Sequence, residues 1–119
     1  MAENQKHTVL VVEDVEEISL NMGAALNNRG HRVMRASNAE QAIKMAEANR
    51  PTMILTDLDL PTFDKLMLLL RNHHDLNNMV VAIIDINHPT VKDSTVNVVA
   101  DFQALDDLMN TAGASDAAS

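Results

Sequence analysis

The 119 residues include no cysteine, tryptophan or tyrosine, and phenylalanine occurs only twice. No disulfide can form, although a missing cysteine does not by itself name a redox compartment. With so few aromatics, the interior must be built from Leu, Val, Ile, Ala and the eight Met, which makes an aliphatic and pliable core. Cations are scarce as well: 9 Lys and Arg face 17 Asp and Glu, for a formal charge of -8. That balance opposes a phosphate backbone, and no basic stretch interrupts it, so direct nucleic-acid binding is not expected. No apolar run approaches a membrane span, and the opening MAENQKH is too polar for a secretory leader. A soluble, cytoplasmic chain with one core is expected.

What is present alternates. Thr8 to Val12 (TVLVV) is short, β-branched and apolar, which suits a strand buried on both faces. From about Glu16 the spacing turns helical, with Ile18, Met22, Ala25 and Leu26 in phase, two glutamates at the start and Gly30 as the stop. Arg32 to Ala36 reads as a second strand. Ser37 to Glu40 (SNAE) has capping-box spacing ahead of a helix carrying Ala39, Ala42, Ile43 and Ala46, which Pro51 ends. Thr52 to Thr56 predicts a third strand, Phe63, Leu66, Met67 and Leu70 a third helix, and Val80 to Ile84 a fourth strand. Asp85 to Ser94 (DINHPTVKDS) then carries a proline and no apolar period where another helix is due, so it reads as a loop. Thr95 to Val99 predicts the fifth strand, and Phe102, Leu105, Leu108 and Met109 a short last helix. No internal repeat is seen. Parallel neighbours need crossovers and helices supply them, so a doubly wound α/β sandwich is expected.

In such sheets ligands gather outside the carboxyl ends of the strands, where the strand order reverses. Glu13 and Asp14 follow the first strand and Asp57 follows the third. If those strands are neighbours, three carboxylates converge, and they remain ionised together only around a cation. An all-oxygen site completed by water suits Mg²⁺. Such a site lowers the charge barrier to an incoming phosphoryl group and leaves one carboxylate as nucleophile.

The run VLVVED followed by ILTDLDLP resembles the receiver domain of two-component response regulators, and the element order matches over nearly the whole chain. The resemblance implies a five-stranded parallel sheet in the flavodoxin-like order 2-1-3-4-5, here with the fourth helix missing or much shortened. It places the receiver-like domain at residues 6–110 and leaves 111–119 as a disordered tail or the start of a linker. It also implies that Asp57 is the phosphoacceptor, that Glu13 and Asp14 bind Mg²⁺ with Asp57, and that the backbone carbonyl of Asp59 is a further metal ligand. Pro61 matches the loop after the acceptor.

The rest of the family pattern is absent. The small hydroxyl residue of strand four falls at Asp85, or in the nearest other register at Ile84. The lysine after strand five aligns with Ala100, and the switching aromatic falls at Asn97. A lysine there would pair with the acceptor and then with the phosphoryl group. Asp85 instead adds negative charge, and Lys65 stands where receivers usually carry glycine. His88 lies in the loop as a possible neighbour of the pocket. His73 and His74 (NHHD) read as solvated polar residues, because neighbours at a helix end point in different directions. The run LMLLL is mostly core, with apolar side chains to spare for a partner.

These readings imply an atypical receiver that acts as a signalling protein-interaction module. Its acidic Mg²⁺ pocket is retained but its switch residues are lost, so its output is phosphorylation-independent or weakly coupled. The expected partners are a histidine kinase, a phosphotransfer protein or a downstream output protein, and no enzymatic activity is expected beyond self-phosphorylation or autodephosphorylation at Asp57. The alternative is a phosphorylatable receiver that accepts a phosphoryl group on Asp57. A remote alternative is a phosphatase, because ILTDLDLPT also resembles the first motif of haloacid-dehalogenase-like phosphatases, although little chain remains for their later motifs.

Overall fold

A computed structural model of the chain describes residues 7–57, 60–84, 96–99 and 101–118. The elements run β1 (Thr8–Val12), α1 (Glu16–Asn28), β2 (Arg32–Ala36), α2 (Ala39–Asn49), β3 (Met53–Thr56), α3 (Phe63–Arg71), β4 (Val80–Ile84), β5 (Val96–Val99) and α4 (Phe102–Ala118). The five strands form one parallel sheet in the order β2-β1-β3-β4-β5, as the resemblance implied. The expected shortening of the helix between the fourth and fifth strands concerns residues 85–95, which lie outside the described residues.

Alternation along each strand divides the core in two. Leu10, Val12, Ile54, Val81 and Ile83 face Ala39, Ala42 and Ala46 of α2 and Phe63, Leu66, Met67 and Leu70 of α3. Val9, Val11, Met53, Leu55 and Ala82 face Leu26 of α1 and Leu105 and Met109 of α4. The alanines of α2 bury small side chains, so its backbone lies close to the sheet. Strand β1 is covered on both faces, with Val9 to Val12 at 0% exposure, which is why its sequence is continuously apolar instead of alternating.

The helix ends show which local signals acted. The His31 amide donates to the Leu26 carbonyl and the Gly30 amide to the Asn27 carbonyl, with Gly30 at φ 92. This is the Schellman stop that Gly30 predicts. The start of α2 lies one residue later than the SNAE spacing implies. Asn38 is the cap and accepts from the Gln41 amide at 2.9 Å, while Gln41 Oε1 accepts from the Ser37 amide at 2.7 Å. The Ala39 amide, which no turn of the helix can satisfy, donates to Thr62 Oγ1 at 3.1 Å. At the other end of α2, Arg50 takes the left-handed conformation at φ 48, immediately before Pro51.

Three further differences from the sequence reading have physical causes. The last helix continues to Ala118, into residues 111–119, which were expected to be a disordered tail or the start of a linker. Four alanines in TAGASDAA keep helix propensity high despite Gly113. Lys65 reaches from the first turn of α3 to Glu40 of α2, which gives a role to the cation standing where glycine was expected. That hydrogen bond first, and the lysine charge second, hold the Glu40 carboxyl below its ordinary value. Finally, α3 ends at Arg71, so His73 and His74 lie in the following turn, and their rings stack with centroids 5.2 Å apart at 9°. The expectation that they diverge presumed a helix they are not part of.

A polar network attaches α4 at the amino ends of the strands. Asp106 Oδ1 lies 2.8 Å from Nε2 of the buried His31, and Arg29 Nε donates to Asp106 Oδ2 at 2.6 Å. The His7 amide donates to His31 Nδ1 at 3.4 Å, so Nε2 carries the proton shared with Asp106. His7 Nε2 in turn meets Asn110 Oδ1 at 3.1 Å.

Candidate functional site

The register of the sheet builds the acidic site. Val12 pairs with Thr56 across β1 and β3, so the next residues, Glu13 and Asp57, leave the carboxyl edge as neighbours. On the other side Val12 pairs with Ala36, and the Glu13 amide extends that ladder by donating to the Ala36 carbonyl at 3.0 Å. Thr56, buried at 1% exposure, donates its hydroxyl to the Val12 carbonyl at 3.1 Å and locks the two strand ends together. Thr56 was read only as the last residue of an apolar run, and its hydroxyl at the end of MILT was the available signal.

Glu13 is buried at 3% exposure, Asp57 is half-buried and Asp14 is exposed. One Glu13 oxygen, Oε2, accepts from the Val15 amide at 3.1 Å, which holds the carboxylate under the start of α1. The other, Oε1, is buried and has no hydrogen-bond partner among the described residues. Burial pushes the Glu13 carboxyl above its ordinary value. The Val15 hydrogen bond draws it down, and the Asp57 charge and the adjacent Asp14 carboxyl push it up again. The Asp14 and Asp57 carboxylates thus bear on Glu13 electrostatically, but the donor atoms of the three do not all close to within 4.8 Å of one another. A polar cleft of about 210 Å³ opens beside Glu13, walled by Glu16, Ser19, Arg35 and Gln41.

By the chemistry of its oxygens, though without closed geometry among the three side chains, this donor set is of the kind a hard dication takes. All its side-chain ligands are carboxylate oxygens, one of them buried without a partner among the described residues, and neighbouring like charges make the group costly without a counter-ion. Asp59, Asp85, His88 and Ala100 lie outside the described residues. Asn97, the expected place of the switching aromatic, is half-buried on β5 and donates Nδ2 to the Val81 carbonyl of β4 at 3.1 Å. Its side chain is thus bonded to the neighbouring strand. Ile84, the other register for the missing hydroxyl, ends β4 opposite Val99 and offers only hydrocarbon.

Comparison with known proteins gives a consistent picture. The family model for the response regulator receiver domain matches residues 9–109. The alkaline phosphatase synthesis transcriptional regulatory protein PhoP of Bacillus subtilis is 39% identical over 56 residues, which are 47% of this chain and 23% of that protein. The chain spans about a quarter of the length of the curated transcriptional regulators it matches. Among solved structures, a response regulator from Chloroflexus aurantiacus is 25% identical with a TM-score of 0.62, covering 70% of this chain and 73% of that one. TrrA of Thermotoga maritima, solved in complex with Mg(2+)-BeF, has a TM-score of 0.70 at 16% identity, covering 89% of this chain and 98% of that one.

Proposed function

Because the chain belongs to the response regulator receiver domain family, we propose that it is an atypical receiver whose output does not depend, or depends only weakly, on phosphorylation. The observation that carries this reading is an imbalance across the site. The β1 and β3 side keeps its carboxylates, with Glu13 buried and Oε1 unpartnered among the described residues. The β4 and β5 side holds Ile84 and Asn97, and Asn97 is already bonded to Val81. The sequence also supplies Asp85 and Ala100 where a hydroxyl and a lysine belong.

In this reading Glu13, Asp14 and Asp57, with the backbone carbonyl of Asp59, hold Mg²⁺, which when bound neutralises the charge that the three carboxylates place together. Thr56 keeps the β1 and β3 edges in register, and the Val15 amide orients Glu13. Val15 and Ile18, at 45% and 39% exposure beside the acidic edge, present apolar surface to a protein partner. That partner is a histidine kinase, a phosphotransfer protein or an output protein, and the chain works in the cytoplasm. The charge of -8 argues against nucleic acid as a direct partner, and among the described residues no helix is long and apolar enough to cross a membrane. No enzymatic turnover is assigned.

A second reading rests on the intact β1 and β3 edge: Asp57 accepts a phosphoryl group. An Asp57 oxygen then attacks the phosphorus of a phosphohistidine donor, the P–N bond breaks and the imidazole leaves. Amide spectra of wild type and Asp57→Asn, titrated with Mg²⁺ and then beryllofluoride, separate the two. Shifts at residues 13, 14 and 57 with Mg²⁺, and no further change with beryllofluoride, support the atypical receiver. Asp57-dependent shifts that spread through β5 overturn it in favour of a phosphorylated switch. Turnover of a phosphate ester overturns both.

A further inference from the structure

A second group of metal-ligating side chains lies at the opposite, amino edge of the sheet, in the turn between α3 and β4. His73, His74 and Asp75 each place a donor atom within 4.8 Å of the others. Consecutive residues converge because the chain has left the helix at Arg71 and turns, which stacks the two imidazoles side by side. His74 Nε2 lies 3.3 Å from Asp75 Oδ2, and the Asp75 amide donates to His73 Nδ1 at 3.0 Å, closing the turn on itself.

Glu47 of α2 completes the arrangement. Its Oε2 lies 2.7 Å from His73 Nε2, and with Nδ1 acting as acceptor the proton belongs to Nε2. An imidazole whose Nε2–H donates to a carboxylate is oriented and made more basic at Nδ1, which is the usual support of a ligating histidine, and an ion bound at Nδ1 takes its lone pair in place of the Asp75 amide. His73 is held, at 17% side-chain exposure, while His74 at 88% is free to turn inward. Ligands of a tetrahedral ion bound at about 2.0–2.1 Å stand roughly 3.3 Å apart, so donors within 4.8 Å of one another need close by at most about 1.5 Å. Two carboxylates, Asp75 and Glu47, stand here with two guanidiniums, that of Arg50 at 3.4 Å from Asp75 Oδ2 and that of Arg71, which donates to the Asn77 and Met79 carbonyls.

We propose that His73, His74 and Asp75 bind one divalent transition-metal ion of the Zn²⁺, Ni²⁺ or Cu²⁺ class, with Glu47 as the residue that positions the His73 ring. Two imidazole nitrogens and one carboxylate oxygen select such ions over Mg²⁺, which prefers oxygen throughout. Water fills the remaining positions. The ion ties the α3–β4 turn to α2 and makes this edge chemically distinct from the acidic edge.

The test is titration of the untagged chain with Zn²⁺, read by calorimetry and by histidine ring and amide spectra, with Asp57→Asn as a background that removes an acidic-edge ligand. With Mg²⁺ in excess to hold the acidic edge, one Zn²⁺ ion is expected to bind, with shifts centred on residues 73–75 and 47 and equal affinity in wild type and Asp57→Asn. His74→Ala, at an exposed position that leaves folding intact, is expected to weaken binding at least about tenfold, and Glu47→Gln by about tenfold. Mg²⁺ at the same concentration is expected to leave these residues unshifted. Undiminished Zn²⁺ affinity in His74→Ala, shifts centred on His7 and His31 or on residues 13, 14 and 57, or no Zn²⁺ binding overturns the proposal. The result is independent of the acidic edge, because the Mg²⁺ titration reads that edge separately.

Discussion

Replacing Glu13 with glutamine removes the charge from the most buried of the three clustered carboxylates while keeping an oxygen for the Val15 amide. In the metal-free domain Oε1 is buried without a partner among the described residues, and a group left that way costs about 1–3 kcal/mol. Glutamine also ends the like-charge contact with Asp14 and Asp57 and can donate to either. Against this, the Val15 hydrogen bond changes from charge-assisted to neutral, a loss of about 1 kcal/mol. The net expectation is a variant more stable than wild type by about 1–2 kcal/mol without Mg²⁺. With a urea slope near 2 kcal/mol per molar, the unfolding midpoint rises by roughly 0.5–1 M.

On the proposed reading Mg²⁺ is expected to reverse the comparison: at a hundredfold excess over its dissociation constant it would add about 2.7 kcal/mol to wild type, whereas Glu13→Gln, lacking one ligand charge, would gain much less. The pH dependence has a definite sign. Because burial, first of all, raises the Glu13 carboxyl in the fold, its most favourable contribution is present below its ordinary value of 4.5 and is lost as pH rises through the folded value. Metal-free wild type therefore loses stability from this group as pH rises through that window, and Glu13→Gln shows no such loss. A variant less stable than wild type at neutral pH without Mg²⁺, or one with an undiminished Mg²⁺ response, would refute the reasoning.

Other substitutions probe the scaffold. Leu66→Ala empties a fully buried position between α3 and the sheet and is expected to cost about 2–5 kcal/mol in urea unfolding; a loss below 1 would show that the site collapses without strain. Arg50→Gly relieves the left-handed backbone before Pro51 and gives up only an exposed ion pair with Asp75. It is expected to stabilise by about 0.5–1 kcal/mol in thermal melts, and a lower melting temperature would contradict the backbone argument. Asp106→Ala leaves the buried Nε2–H of His31 without its acceptor and takes one partner from Arg29, which still donates to Gln103 Oε1, for an expected cost of about 1–3 kcal/mol. Hydrogen exchange should rise first in α4, and unchanged protection there would mean that apolar packing alone holds that helix.

Much of the architecture was legible in the sequence because its causes are local. The continuous apolar runs at Thr8–Val12 and Val80–Ile84 permit only strands covered on both faces, and the elements occur where the periods place them. Gly30 stops α1 because no other residue enters the left-handed stop so cheaply. The VLVVED and ILTDLDLP runs placed Glu13, Asp14 and Asp57 just past strand ends, and β1 and β3 end there. The cap of α2 and the end of α3 were less legible. Asn38 competes with Ser37 for the same role, and a turn of polar residues after Arg71 has no period to mark it.

By itself, then, the sequence determined which segments form strands and helices, the aliphatic core and the placing of Glu13, Asp14 and Asp57 just past strand ends, all of which depend on residues a few positions apart. Only the tertiary structure decided that Val12 pairs with Thr56, so that Glu13 and Asp57 emerge together, and that Glu13 is buried while Asp14 is exposed. It alone brought Lys65 to Glu40, Asp106 to His31, and Glu47 to His73. Those contacts join side chains 25 to 75 residues apart, and they are set by sheet register and helix packing, which no local period records.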